Sequence, residues 1–424
     1  MVAALFVTFF LLAFLSLPIS FSLLAATIFP LLTCTDMTAM VVVQRLFNSM
    51  NSFSMMAIPF FILAGGIMEK GGVSKRLVDL ATALVGWMPG GLAVVCFVAS
   101  AFFGAISGSA TATVAAIGAI MVPHMLKAGY DVRFTLATVA SAGYLGVIIP
   151  PSIPMVTYGL ATGVPIGDLF LAGFIPGVML VVLMSVWAVH YGRKNRSTIV
   201  AFDLKKLGKS FVSAIWALIM PGIILGGIYS GVCTPTEAGA VACLYGLLIG
   251  FFVYKELTIQ KLIDIFKGSV SNIAMIMFII AAAAAFGWLM TWANIPAMIA
   301  KFILSVASNK YVFLLMVIAL LLFVGVFMDT TAAILILAPI FYTMLPTYGI
   351  SDIAFAMVMI ITLAIGLLTP PLGLNLFVAA GILKVKSDVV INKHLCMYII
   401  LSLVGVFLMV VFPAIPEFLI SLVK

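Results

Sequence analysis

The sequence predicts an all-α polytopic membrane protein of two inverted repeats, each holding a re-entrant helical hairpin and a discontinuous helix. Three observations predict it. Hydrophobic residues make up 65% of the 424-residue chain and charged residues 8%, whereas a soluble domain is nearer half apolar and a quarter charged. The stretch Gly146-Val147-Ile148-Ile149-Pro150-Pro151 returns as Gly366-Leu367-Leu368-Thr369-Pro370-Pro371, 366 − 146 = 220 residues later. Regions 88–126 and 311–347 are almost uncharged and too long for one straight helix in a ~30 Å hydrocarbon core.

In chain order, the apolar start from Met1 to Phe6 has no basic n-region and no small-residue cleavage site. It reads as a retained first span over about 3–32, not a signal peptide. Further spans are expected over about 52–68, 170–190, 212–232, 236–254, 269–290 and 395–422, each near the ~20 residues a bilayer requires. The stretch 191–210 is expected to be a loop. It holds Arg193, Lys194, Arg196, Lys205, Lys206 and Lys209 against Asp203, which places it in the cytoplasm. The net charge of +8 is a topology signal here. No exposed basic domain exists to bind nucleic acid.

The two long regions each carry small and polar residues near the centre. These are Gly104-Ala105-Ile106-Ser107-Gly108-Ser109-Ala110-Thr111 and Met328-Asp329-Thr330-Thr331. Such turns suit a chain that enters, turns at mid-depth and returns on the same side. A mid-depth turn is tolerated only beside a cavity or a ligand. The 220-residue shift pairs Phe103 with Phe323, Thr111 with Thr331, Gly129 with Gly349 and Asp168 with Asp388. It is expected to hold without gaps beyond both double prolines. An odd number of spans per half would invert the halves, which hydropathy alone does not establish.

A proline donates no backbone hydrogen bond and disfavours helix before it. Each double proline therefore frees carbonyl oxygens at the negative end of a half-helix, which suits a cation such as Na⁺. A new half-helix is expected from Ser152 and from Leu372, its amides suited to an anion. One candidate sodium site combines Ser107, Gly108 and Ser109 with Gly146, Ile149 and Pro151. The other combines Gly325, Asp329 and Thr330 with Gly366, Thr369 and Leu372. Asp329 is the lone charge between Lys310 and Asp352, and an intramembrane carboxylate is a functional candidate. It is expected to contact substrate, with Asn375 and Thr157 facing the same cavity, and it also suits an N-cap.

Other chemistries are disfavoured. The five cysteines have no CxxC spacing and the three histidines are scattered, so no transition-metal site or disulfide framework is indicated. An intramembrane serine hydrolase would need Gly-x-Ser-Gly, and the chain reads Gly104-Ala105-Ile106-Ser107-Gly108. No catalytic residues are assigned.

The segments Pro221 to Gly231, Thr234 to Ala238, Phe102 to Ser109, Gly146 to Ser152 and Met328 to Thr331 together resemble the large membrane subunit of TRAP transporters, tripartite ATP-independent periplasmic systems. The resemblance implies a sodium-coupled elevator-type importer of an organic acid in the bacterial inner membrane. It implies two Na⁺ sites at the tip–break junctions and no organic cofactor. It also implies two protein partners, a periplasmic substrate-binding protein and a small four-helix membrane subunit as a separate chain. The overall look inclines to the sialic-acid branch, with dicarboxylates and other sugar acids also expected in the family. The implied organisation is scaffold and arm helices over 1–85, transport-domain halves over 86–173 and 306–394, scaffold over 174–305, and a final helix over 395–424. Glu237 is expected to cap or pack rather than bind substrate. A stand-alone sodium–carboxylate symporter or ion transporter, needing no binding protein, fits the same architecture.

Overall fold

The computed structural model describes residues 1–15, 17–195, 201–307 and 309–423. Every regular element among them is helical. In chain order they are α1 (Val2–Phe14), α2 (Ile19–Cys34), α3 (Met40–Met50), α4 (Ala57–Lys70), α5 (Val73–Val85), α6 (Gly91–Ser107), α7 (Ala110–Lys127), α8 (Val132–Gly143), α9 (Ile153–Thr162) and α10 (Ile166–Asn195). Then come α11 (Leu204–Tyr229), α12 (Pro235–Leu248), α13 (Ile259–Trp292), α14 (Ile295–Val306), α15 (Lys310–Phe327), α16 (Thr330–Tyr342) and α17 (Leu345–Tyr348). The last four are α18 (Asp352–Gly366), α19 (Leu374–Leu383), α20 (Lys393–Val411) and α21 (Ala414–Val423). Among the described residues, eight helical stretches are long and apolar enough to cross a membrane.

Helix α10 serves as a ruler for the first half. Its basic end, with Arg193 and Lys194 in the last turn, which the excess of positive charge puts on the cytoplasmic side, holds the mouth of the first hairpin. Gly192 lies against the backbone of Pro89 and Gly90, just before α6. Tyr130, just after α7, stacks on Tyr191 at 6.2 Å. Both ends of the α6–α7 hairpin are therefore on the cytoplasmic side. Deeper along α10, a methyl group on Gly173 would come 2.7 Å from the Ile148 carbonyl oxygen, and one on Gly177 would come 2.6 Å from the Ile149 side chain. From Gly177 to Gly192 is 192 − 177 = 15 residues, ~22 Å at 1.5 Å per residue. The break between α8 and α9 is thus well inside the membrane.

The second hairpin opens at the other end of the ruler. The Tyr348 hydroxyl donates to the Ala307 carbonyl at 3.3 Å, and its ring stacks on Phe313 at 4.5 Å. The start of α15 and the end of α17 thus share one side. A shallow cleft joins Tyr342, Ser351 and Asp352 of this mouth to Gly163 and Pro165, the turn feeding the outer end of α10. The hairpins open on opposite faces, so the repeats are inverted. Charge agrees. Lys127, Arg133, Lys384, Lys386 and Lys393 join the cytoplasmic mouth, whereas Asp352 and Lys310 mark the outer one.

The halves interlock as well as oppose. Helix α16 packs on α9, and α19 packs on α7 and α8. Each half-helix beyond a break is thus covered by a hairpin arm of the other repeat. The Asn375 amide donates across this boundary to the Ala140 carbonyl at 3.3 Å. Helix α20 closes the seam, with Tyr398 bonded to Thr138 and Ser402 to Tyr144, both at 3.0 Å. A second group of helices gathers around α13, which packs on α2, α3 and α4.

Several expectations change. The span expected over 3–32 is two helices, α1 and α2, with Pro18 at the second N-cap. Each is shorter than the ~20 residues of a full crossing. The span expected over 395–422 is likewise α20 and α21, interrupted at Phe412-Pro413, where proline cannot continue the helical ladder. The loop expected over 191–210 shrinks. Helix α10 carries Arg193 and Lys194, and α11 begins at Leu204 because Asp203 caps it. Arg196 lies outside the described residues. The domain limit drawn between 173 and 174 falls inside the unbroken α10, which packs on α6, α18, α20 and α21. The limit drawn between 394 and 395 likewise falls inside α20.

Candidate functional site

Each hairpin crosses its own broken helix at a pair of glycines. A methyl group on Gly104 would come 2.7 Å from the Gly146 Cα, and one on Gly325 would come 3.1 Å from the Gly366 Cα. With no Cβ on either side, backbones approach as small-residue contacts allow in membranes. This brings the tips, which follow Gly104 and Gly325 at once, beside the breaks. The glycine pairs differ by 325 − 104 = 221 and 366 − 146 = 220, so the repeat slips by one residue in the outgoing arms.

The first junction is closed. Helix α6 ends at Ser107, and Gly108 takes a left-handed turn with φ of 60°, a conformation glycine adopts freely. Ser109 then caps α7, its hydroxyl accepting from the Ala112 amide at 3.5 Å. The Gly108 carbonyl accepts from the Ile153 amide at 3.4 Å, and a Cβ on Gly108 would sit 3.0 Å from the Pro151 carbonyl oxygen. Ser152 caps α9 while its hydroxyl donates to the Val147 carbonyl at 2.6 Å. Ser107 is 3% exposed and Ser152 fully buried. The Ile149 side chain points to Gly177 of α10, so this residue can face the junction only through its backbone.

The second junction is more open. Met328 is extended rather than left-handed. Asp329 caps α16, its carboxylate accepting from the Thr331 amide at 2.9 Å. The negative group is favoured at that helix start by the dipole. Thr330 is buried, and its hydroxyl meets no partner. At the break, the Thr369 hydroxyl donates to the Ile365 carbonyl at 3.0 Å. Leu372 is 44% exposed. The half-helix begins at Leu374 behind Gly373, not at Leu372 as expected, because the left-handed Gly373 adds a residue before the turn closes. In the first half Ser152 is itself the cap, as expected. The slip of 373 − 152 = 221 also unpairs Asp168, in the first turn of α10, from Asp388, in a 3-10 turn.

Thr157 and Asn375 differ in what they have left to offer. The Thr157 hydroxyl is spent on the Ile153 carbonyl of its own helix at 2.9 Å. Asn375 is fully buried and uses its amide nitrogen on Ala140, while its side-chain oxygen has no partner. A buried unpaired acceptor is costly, which marks Asn375 Oδ1 as the freer of the two. Glu237 completes a capping box with Thr234, a structural role that the Thr-Pro-Thr-Glu spacing signals.

Sequence reasoning missed Thr113. It is fully buried, its hydroxyl lies against Gly146, and it donates to the Ser109 carbonyl at 2.7 Å. The signal was available, since Ser109 and Thr113 are four apart across a helix start and share a face.

The donors at both junctions are neutral hydroxyls and helix-end carbonyls, with the one carboxylate of Asp329. No group of three or more His, Cys, Asp or Glu that could hold a metal occurs among the described residues. Hard oxygens at helix ends fit a monovalent cation such as Na⁺.

Comparison with known proteins settles the family. Residues 6–415 match the DctM component of the tripartite ATP-independent periplasmic transporters. The chain belongs to this family. It is 40% identical over 403 residues to an isethionate TRAP transporter permease protein, DctMQ, of Oleidesulfovibrio alaskensis, covering 95% of the chain and 63% of that longer relative. It is 38% identical to the 2,3-diketo-L-gulonate TRAP transporter large permease protein YiaN of Escherichia coli, over 97% of the chain and 96% of the relative. It is 41% identical to the C4-dicarboxylate TRAP transporter large permease protein DctM of Pseudomonas aeruginosa, over 87% and 86%. Among solved structures, the Alcanivorax borkumensis YdaH transporter has the same fold, with a TM-score of 0.64 at 16% identity, over 97% of this chain and 98% of that one. Neisseria gonorrhoeae MtrF matches at 0.58, also 16% identical, over 88% and 84%. As a DctM-family permease with eight membrane-length helical stretches, the protein is a multi-pass protein of the inner membrane.

Proposed function

We propose that this chain is the permease of a sodium-coupled importer of a small organic anion, delivered by a periplasmic binding protein. A small membrane subunit completes the complex. One observation carries the proposal. Two polar tips meet two helix breaks inside the membrane, in halves that open to opposite faces. A pair of inverted, interlocked hairpins around mid-membrane oxygens is the arrangement of an alternating-access carrier.

Na⁺ would supply positive charge and coupling to the ion gradient. Gly146, Pro151 and the tip residues Ser107 and Gly108 would hold it in the first half. Gly366, Thr369, Gly325 and Thr330 would do so in the second, beside Asp329. Anion recognition falls to hydroxyls and free helix-start amides, because no arginine flanks either tip, while the free Asn375 Oδ1 would accept from a substrate hydroxyl or amine. Asp329 would orient polar groups of the substrate through hydroxyl or amine contacts. The relatives' names carry a sulfonate, a keto-sugar acid and dicarboxylates, so the shared chemistry is an organic anion. Sialic acid is the narrower reading within it. The interlocked hairpins, broken helices, α10 and α20 would move as one body against the helices around α13, an elevator.

The test is uptake into proteoliposomes holding the permease and small subunit, with the binding protein outside. A screen of anions against the binding protein supplies the substrate. Uptake requiring both an inward Na⁺ gradient and the binding protein is expected. Undiminished uptake with Na⁺ replaced by choline removes the coupling. Undiminished uptake without binding protein favours a stand-alone symporter.

A further inference from the structure

We propose that Thr113 is the positioning residue of the first junction. It fixes the direction of the Ser107 hydroxyl so that an oxygen lone pair, rather than a proton, is offered there. The inference rests on the cation reading of that junction and adds a residue that the reading does not contain.

The argument follows the protons. The Thr113 Oγ1 lies 2.7 Å from the Ser109 carbonyl oxygen. A carbonyl only accepts, so the single Thr113 hydroxyl proton is committed to it. The same oxygen lies 3.2 Å from the Ser107 Oγ, with both groups buried. Since Thr113 has no second proton, Ser107 must donate in that contact. The Ser107 proton is then held toward Thr113, and its lone pairs are left for other donors or for a cation. One faces the Ser109 amide at a long 3.5 Å. The Ser109 carbonyl accepts from the Thr113 amide at 3.2 Å as well, so this carbonyl is doubly engaged and poorly suited as a ligand. Thr113 thus turns the tip's oxygens into two classes, with Ser109 O occupied and Ser107 Oγ available.

Packing fixes the arrangement. The Thr113 hydroxyl sits against the Gly146 Cα, so that any Cβ there would strike it, and a Cβ on Gly146 would also lie 2.6 Å from the Ser109 carbonyl. The tip, the first turn of α7 and the break are therefore held as one unit. The second half has no copy of the device. Position 113 + 220 = 333 is Ala333, and the charge of Asp329 stands at the tip instead. A neutral hydroxyl needs its proton pointed away to serve a cation, whereas a carboxylate does not.

The test uses the purified permease with its small subunit and compares native protein with Thr113→Val and Thr113→Ser. Valine keeps the shape and removes the hydroxyl, and serine keeps the hydroxyl. The first readout is thermal unfolding against NaCl, with choline chloride holding ionic strength constant. Native protein and Thr113→Ser should show the same half-saturating Na⁺. Thr113→Val should need about tenfold more, the equivalent of one lost oriented hydrogen bond, while unfolding near its native midpoint once saturated. The second readout is uptake, where Thr113→Val should raise the half-saturating Na⁺ and recover most of the maximal rate. Unchanged Na⁺ dependence in Thr113→Val overturns the proposal. So does an equal rightward shift in Thr113→Ser, because a shape effect alone would produce it. A native protein indifferent to Na⁺ in both readouts fails the cation reading itself, which is a different outcome from a Thr113→Val that titrates like the native chain.

Discussion

The two tip–break junctions share a scaffold and differ in chemistry. Both put a glycine on a glycine, cap the returning arm with an oxygen side chain and end the broken helix at a double proline. The first is sealed, its Gly108 carbonyl tied to Ile153 and its polar groups neutral. The second carries Asp329 at the tip and leaves Pro371 and Leu372 exposed beyond the break. Duplicated architecture therefore fixes depth and crossing, while the cap residue, Ser109 or Asp329, sets the charge of each junction. A neutral closed junction suits an ion alone. A charged open one suits an ion next to a bulkier guest.

The largest expected effect breaks this contrast at its centre. Asp329→Ala should lower uptake about 100-fold or more, as loss of a charged group's hydrogen bonds inside the membrane implies, with membrane expression intact. Asp329→Asn separates two roles, because asparagine caps a helix as well as aspartate does. Native uptake by Asp329→Asn would show that the cap, not the charge, matters. Next come the crossings. Gly366→Ala would place a methyl group on the Gly325 backbone, and Gly146→Ala would strike the Thr113 hydroxyl. Both should destabilise by about 1–3 kcal/mol. The larger fall in thermal midpoint should belong to Gly366→Ala, whose nearest contacts are all Gly325 backbone, whereas Gly146 meets the Thr113 side chain first and the Ser109 carbonyl second. Equal losses would make the crossings alike in rigidity.

Smaller effects sharpen the comparison. Asn375→Leu should cut uptake about tenfold through its unpaired oxygen, and Thr157→Val should change it by less than about twofold, since that hydroxyl is already satisfied within its helix. Reversal of this order would move the substrate cavity toward α9. The smallest effect is on activity but clear in chemistry. Leu372→Cys should react with a membrane-impermeant maleimide from one side of the bilayer, and Ile149→Cys should not. Equal labelling would erase the open–closed difference.

Much of this was legible in the sequence, for physical reasons. Helix breaks show because proline and glycine act locally. The cap at Asp329 shows because a short polar side chain in an apolar run has few other uses. The pairing of Asp131 with Ser351, which cap α8 and α18 at a shift of 351 − 131 = 220, was not legible as a match, since different side chains do the same capping. Inversion was expected from the doubled break, although hydropathy alone does not establish it. It depends on which end of α10 each mouth touches, a contact between residues distant in sequence. The split of 3–32 into two short helices was missed because hydropathy counts apolar residues and not their direction. Thr113 was missed because its shortest bond is to a backbone group, the Ser109 carbonyl, so the spacing of four between Ser109 and Thr113 reads as an ordinary helix start.

The interlocking of the repeats has a consequence for how the chain is made. Helix α7 packs on α6 and α8 of its own repeat but gains α19 only from the second, and α9 likewise gains α16 only from the second. The ribosome therefore releases a first repeat whose polar tip and broken helix are finished in sequence yet unroofed. Some two hundred residues must be threaded before the roof arrives. The seam between the repeats is therefore set last, late in synthesis, by helices that the first half cannot supply for itself.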